Sequence, residues 1–197
     1  MKLISLFRFL ILFVAFAAGF SIHAQAEVRM PNPLKKFTGN WESYVTTYNA
    51  NGEVSSTRVV QENVRLISRG QGLQSSFNTI SQNPDNGFLS FGTDTLASGG
   101  IVRGRSTDEV VVQGTRYRYY QTTRGRWRIT NGIILINATA TITPAEAGAF
   151  PPQSITFSGT TRIVANKMIT FLRNSSGSTQ RTVSYRPGTA PQAAARP

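Results

Sequence analysis

The chain contains no cysteine and a single histidine, His23. Without cysteine no disulfide can form, and a domain of this size must rest on its own hydrophobic core. His23 falls in an N-terminal stretch with the marks of a cleaved export signal, so the mature chain is predicted to lack both residue types. That excludes Ser-His-Asp and Cys-His nucleophilic catalysis, and nearly all zinc, copper and haem ligation. No metal and no cofactor is expected. Acidic residues are also scarce: nine Asp and Glu stand against 21 Lys and Arg, a formal net charge of +12. Glu42, Glu62, Asp85, Asp94, Asp108 and Glu109 are scattered, mostly at predicted turns. No two are spaced for shared acid–base work on one strand face, so the chain reads as non-enzymatic.

A sustained helical period is missing too. β-Branched residues instead recur between turn signals every eight to twelve residues or so, the mark of an all-β domain. The first stretch is separate. Lys2 and Arg8 supply a positive n-region, Phe9 to Phe20 an apolar run, and Ala24-Gln25-Ala26 a cleavage site. These are the three parts of a secretory signal over residues 1–26, and the apolar run is short for a spanning helix. A mature domain over 27–186 and a disordered Pro/Ala-rich tail over 187–197 follow. The expected location is periplasmic or extracellular. An exported chain without cysteine points to a bacterial source, and nothing marks it as an integral membrane protein.

The plan of the domain is clearest from Arg116 to Ile136. Asn131-Gly132 favours a type I′ turn, because both residues tolerate positive φ. A two-residue loop there sets Thr130 opposite Ile133, Ile129 opposite Ile134, Arg128 opposite Leu135 and Trp127 opposite Ile136. Trp127, Ile129, Ile134 and Ile136 then share an inner face that continues to Ala138, Ala140 and Ile142, while Arg126 and Arg128 face outward. Further strands are predicted at 41–48, 55–68, 73–80, 88–96, 101–105, 110–121, 154–165, 168–173 and 178–186. Turns are predicted at Asn83–Gly87 and Ser106–Glu109, and a single helical turn at Ala145–Ala149. Joined by short connections, these strands make an antiparallel up-and-down meander. Closure into a barrel hides its edges; a β-sandwich is the alternative.

Gly39-Asn40-Trp41 opens the first strand and Gly125-Arg126-Trp127 opens another. A G-x-W just after an export signal resembles the lipocalins and the wider calycin superfamily. The second motif, running into Ile129-Thr-Asn-Gly-Ile-Ile-Leu-Ile136, resembles a pattern of bacterial lipocalin-like domains of unknown function. The resemblance implies an eight- to ten-stranded up-and-down barrel. It also implies that Phe37 plugs the base, that Gly39 and Trp41 form the base motif, and that Arg186 (or Arg181) packs on Trp41. The loop motif and the disulfide of the lipocalins proper are absent, so the likeness is to a remote lipocalin-like barrel. Some calycin barrels act as cofactor-free isomerases or cyclases. Tyr117, Tyr119 or Tyr120 with Glu62 would be the residues for such chemistry here.

The expected function is to hold a small hydrophobic or amphipathic ligand in the barrel. A predicted four-residue loop, Thr122 to Gly125, turns Arg116, Arg118 and Tyr120 inward beside Trp127, Ile129, Ile134, Ile136, Ala138 and Ala140. An inward Arg beside a Tyr is a clamp for a carboxylate, so the ligand would be acidic. A one-residue shift reverses this, turning Tyr117 and Tyr119 inward and the arginines to solvent. Arg116, Arg118, Arg126 and Arg128 would then make an outer stripe suited to polyanions such as lipopolysaccharide, anionic lipid or an acidic glycan. Interleaved Arg and Tyr also suit nucleic acid, but export argues against that partner.

Overall fold

The computed structural model describes residues 32–82, 88–112, 115–146 and 151–191. The export signal, the Asn83–Gly87 turn, most of the Ala145–Ala149 segment and the end of the tail lie outside these residues. Ten strands make up the domain: β1 (Gly39–Tyr48), β2 (Val54–Ile67), β3 (Gly72–Gln82), β4 (Phe88–Ala97), β5 (Ile101–Val112), β6 (Thr115–Thr130), β7 (Ile133–Pro144), β8 (Gln153–Val164), β9 (Lys167–Asn174) and β10 (Thr179–Tyr185). Each pairs antiparallel with its neighbours in sequence, and β10 returns to pair with β1, so the meander is a closed barrel. The sandwich alternative is thereby excluded. Closure leaves no edge strand, and ten strands enclose more space than the eight whose interior side chains can just fill.

The turn chemistry explains the connections. Asn131 and Gly132 have φ of 51° and 72°, as a type I′ hairpin demands, and the register on either side is Thr130↔Ile133 through Trp127↔Ile136. Ala165 and Asn166 do the same for β8 and β9, with φ of 46° and 64°.

Two predicted breaks do not exist. Ser106–Glu109 lies inside β5, which pairs with β4 throughout this stretch. Thr122–Gly125 lies inside β6, a single strand whose pairing with β7 continues unbroken from Thr130 to Tyr119. Gly125 sits opposite Ala138, and a Cβ there would come within 2.3 Å of the Asn137 carbonyl oxygen. The glycine therefore marks a close approach between strands, not a turn.

The barrel has a filled end. Leu34, Phe37, Trp41, Val64, Leu73, Ile134 and Met168 form a buried cluster, with Trp127, Ile129 and Ile136 among the residues packed against it. A 3₁₀ turn over Lys35–Phe37 carries Phe37 across this end, and Asn32 holds the segment by accepting from Leu34 N and donating to the Gly70 carbonyl. Trp41 donates its indole N–H to the Phe37 carbonyl at 2.9 Å, and the Arg186 guanidinium stacks over the Trp41 ring at 3.7 Å. Arg186, not Arg181, makes this contact, and it also donates to the Thr38 and Asn40 carbonyls. Gly39 has a φ of 111°, and a Cβ on it would meet the Arg186 Nη1 at 2.3 Å. Glycine is therefore the residue that lets the cation seat.

Candidate functional site

Above the filled base the barrel interior opens into a cavity of about 580 Å³. Strand alternation decides what lines it. On one side, β7, β8 and β9 contribute an apolar wall of Ile136, Ala140, Ile142, Ile155, Phe157 and Leu172. On the other, β2, β4 and β5 contribute Arg58, Glu62, Ser90, Asp94, Ser106 and Asp108. The ionisable side chains thus gather on one side, among Val60, Leu96 and Val102: three carboxylates and the Arg58 guanidinium face in, while Arg105 borders the cavity from the exposed, outer-facing parity of β5.

These charges form a chain. Glu62 sits in register between Trp41 and Phe77, low in the barrel. Burial, then the nearby charge of Asp94, raises its pKa to about 7. Asp94 lies between Ser75 and Gly104 in register, and burial, then Asp108, raises its pKa to about 6. Its side chain lies over Gly104 and opens onto the cavity, which leaves it solvent-accessible. Asp108 is 2 % exposed. Burial raises its pKa, while hydrogen bonds from Ser90 and Ser106 and the charge of Arg58 pull the other way. Burial in turn lowers the pKa of Arg58, opposed by Asp108 and Tyr119, and its Nη2 reaches Gln180 Oε1 at 3.5 Å. Tyr119, pointing in from β6, completes the chain; burial and Asp108 raise its pKa.

The residues singled out from sequence divide into three groups. Ile136 and Ala140 line the cavity. Ile134 is buried in the base cluster, Trp127 and Ile129 pack against it, and Ala138 is buried in the barrel wall. Trp127 donates its indole N–H to the Ala97 carbonyl at 2.8 Å.

Arg116, Arg118 and Tyr120 are the third group, and the inward clamp predicted for them is corrected. All three are exposed on the outer face. Both arginines bond Glu109 from outside the barrel, Arg118 Nη2 at 2.6 Å and Arg116 Nη1 at 3.3 Å. The physical reason is the absent loop: unbroken pairing from Trp127 turns Gly125, Thr123, Gln121 and Tyr119 to the inner face and the even-numbered residues between and beyond them to the outer one. Tyr119 therefore takes the interior place. Arg126 and Arg128 are exposed on the same outer face.

Sequence reading did not single out Arg58, set Glu62, Asp94 and Asp108 down as scattered carboxylates without shared work, and gave Glu62 a part only in a catalytic alternative. The available signal was parity. Ser90, Asp94 and Leu96 share one face of β4, and Ser106 and Asp108 share one face of β5. A strand polar on its inner face looks like loop when apolar-in alternation is the guide.

No family model matches the chain. No curated protein matches it either. Among solved structures, similarity is found to a protein with unknown function from the DUF3598 family of Nostoc punctiforme. It shares 9 % identity over 79 % of this chain and 98 % of that one, with a TM-score of 0.23. The site must be read from its own chemistry.

Proposed function

We propose that the protein binds one small amphipathic molecule inside the barrel and is not an enzyme. The observation that carries this reading is the cavity of about 580 Å³, closed below by the Trp41 base and divided into an apolar and a polar wall. That volume is within the roughly 300–1,000 Å³ usual for small-molecule sites, and apolar lining with a few convergent polar groups is their usual chemistry. The wall of Ile136, Ile142, Ile155, Phe157 and Leu172 takes the ligand's apolar body; the polar side orients it. The setting we infer is a bacterial envelope, reached by export.

Native mass spectrometry of the protein after incubation with a bacterial lipid extract tests this. A stoichiometric small-molecule adduct is expected. It should persist in Arg118→Ala, which changes the outer face, and be lost in Ala140→Phe, which fills the cavity from its apolar wall. Absence of any adduct in the wild-type protein would overturn the reading.

A second reading is favoured by a separate observation. Arg103 and Arg124 stand directly opposite each other on neighbouring strands, both exposed, with Arg105, Arg126 and Arg128 on the same outer face. Like charges held opposite one another cost stability, and a polyanion such as lipopolysaccharide or an acidic glycan would relieve that cost.

A further inference from the structure

The polar wall determines what kind of head group the cavity accepts. Arg58, which reaches in from β2, is drawn to Asp108 and Tyr119 higher in the barrel. Deeper down, among the described residues, no hydrogen bond reaches the Glu62 or Asp94 carboxylate from any side chain or main-chain donor, and neither is in an ion pair. Both side chains line the cavity. Next to Asp94 in register, the buried Ser75 Oγ also has no hydrogen-bond partner. On the other side stands Gly104, where a Cβ would come within 2.1 Å of Asp94 Oδ1. The missing side chain is what gives the carboxylate its place.

Two carboxylates whose charges act on each other inside the barrel, without donors, are costly when ionised. A hydrogen-bonded carboxylate wall normally draws its donors from arginine, serine or main-chain N–H groups, as Asp108 does. Glu62 and Asp94 lack them, and the deficit is of positive charge and of N–H donors together. A protonated amine supplies both: one charge and up to three donors. Opposite, the aliphatic and aromatic wall requires that the amine carry an apolar body, which excludes a bare inorganic cation as the natural occupant.

Resting on the proposed binding function, we infer that the ligand is a cationic amphiphile whose ammonium group is held between Glu62 and Asp94. This reverses the acidic ligand expected from sequence, since the arginines meant for a carboxylate are outside the barrel.

The test uses displacement of a neutral fluorescent naphthylamine, N-phenyl-1-naphthylamine, from the full protein by three ligands of equal chain length: dodecylammonium, dodecanol and dodecanoate. Charge-assisted hydrogen bonds distinguish them, so dodecylammonium should displace the dye at a concentration on the order of tenfold below dodecanol. Dodecanoate should be the weakest. In Glu62→Gln and in Asp94→Asn the preference for the ammonium over the alcohol should shrink to about twofold, with dodecanol binding unchanged. Glu109→Gln removes one negative charge from the outer face and should leave the preference intact. Equal displacement by ammonium and alcohol, or tighter binding of dodecanoate, overturns the cationic head group while leaving the cavity function standing. Failure of the dye and of all three ligands to bind overturns both.

Discussion

At the scale of single residues, Glu62 is the side chain whose protonation the fold controls most directly. The charge that acts on it is that of Asp94 from β4; Arg58 on its own strand and Asp108 from β5 line the same cavity higher up, and Trp41 and Phe77 flank it in register. Folding raises its pKa to about 7, whereas an unfolded glutamate titrates near 4.3. Between these values the folded state keeps a proton that the unfolded state has lost, so stability contributed by the protonated carboxyl is complete at pH 4 and declines as pH rises towards 7. Glu62→Gln mimics the protonated form and should remove that decline. The variant is expected to match wild type at pH 4 and to exceed it at pH 8 by about 1–2 kcal/mol, the full linkage value being reduced because the cavity admits solvent. Urea denaturation at the two pH values checks this; a variant less stable than wild type at pH 8 would mean that an undetected partner satisfies the carboxylate. Residue-scale reading from sequence went furthest at the base, where Phe37, Gly39, Trp41 and Arg186 meet as the family resemblance implies. It stopped short at Glu62, because a lone carboxylate in a strand shows no sign of facing inward unless the register is already known.

At the scale of elements, glycines and polar residues inside strands govern both the barrel and its legibility. The β6–β7 hairpin was readable to the residue because Asn131-Gly132 fixes the loop length, and the loop length fixes the register. Its continuation was not readable, because Thr122-Thr123-Arg124-Gly125 has the composition of a turn. In the folded chain Thr123 is buried on the inner face and Gly125 lets β7 approach. The same holds for Ser106-Thr-Asp-Glu109, where Ser106 and Asp108 line the cavity. Both misreadings have one cause: along the cavity the inner face of β4, β5 and β6 carries Ser90, Asp94, Ser106, Asp108, Gln121 and Thr123 where a conventional barrel core is apolar, and Phe91 is 51 % exposed on the outer side of β4. The inverted alternation is itself the mark of a wall built for something other than packing. Gly125→Val isolates the backbone part of this account. A side chain there overlaps the Asn137 carbonyl and the Ala138 methyl, whose Cβ would lie 2.5 Å away. It should cost about 2 kcal/mol or more by overpacking. A midpoint of urea unfolding within error of wild type would show that β6 and β7 lie farther apart than described.

At the scale of the whole molecule, charge is sorted by side. Glu62, Asp94 and Asp108 face the interior, while Arg103, Arg124, Arg126 and Arg128 cover the outer face of β5 and β6. Glu109 forms ion pairs with Arg116 and Arg118 near the end of the same face, away from the directly opposed Arg103 and Arg124. The two faces therefore make separable predictions. Replacing Arg103 and Arg124 together by Gln removes a directly opposed like-charge pair, so the thermal midpoint should stay the same or rise slightly, since such pairs are worth only tenths of a kcal/mol to about 1. The same double variant should elute from immobilised heparin at lower salt than wild type, because binding through an exposed cationic face is screened as ionic strength increases. Its ligand preference in the dye-displacement assay should not move, since the barrel wall separates these guanidinium groups from the cavity. An unchanged heparin elution would show that this face makes no polyanion contact and would leave the interior as the functional surface. A changed ligand preference would show instead that the outer field reaches Glu62 and Asp94 through the wall, and that the two sides act as one electrostatic system.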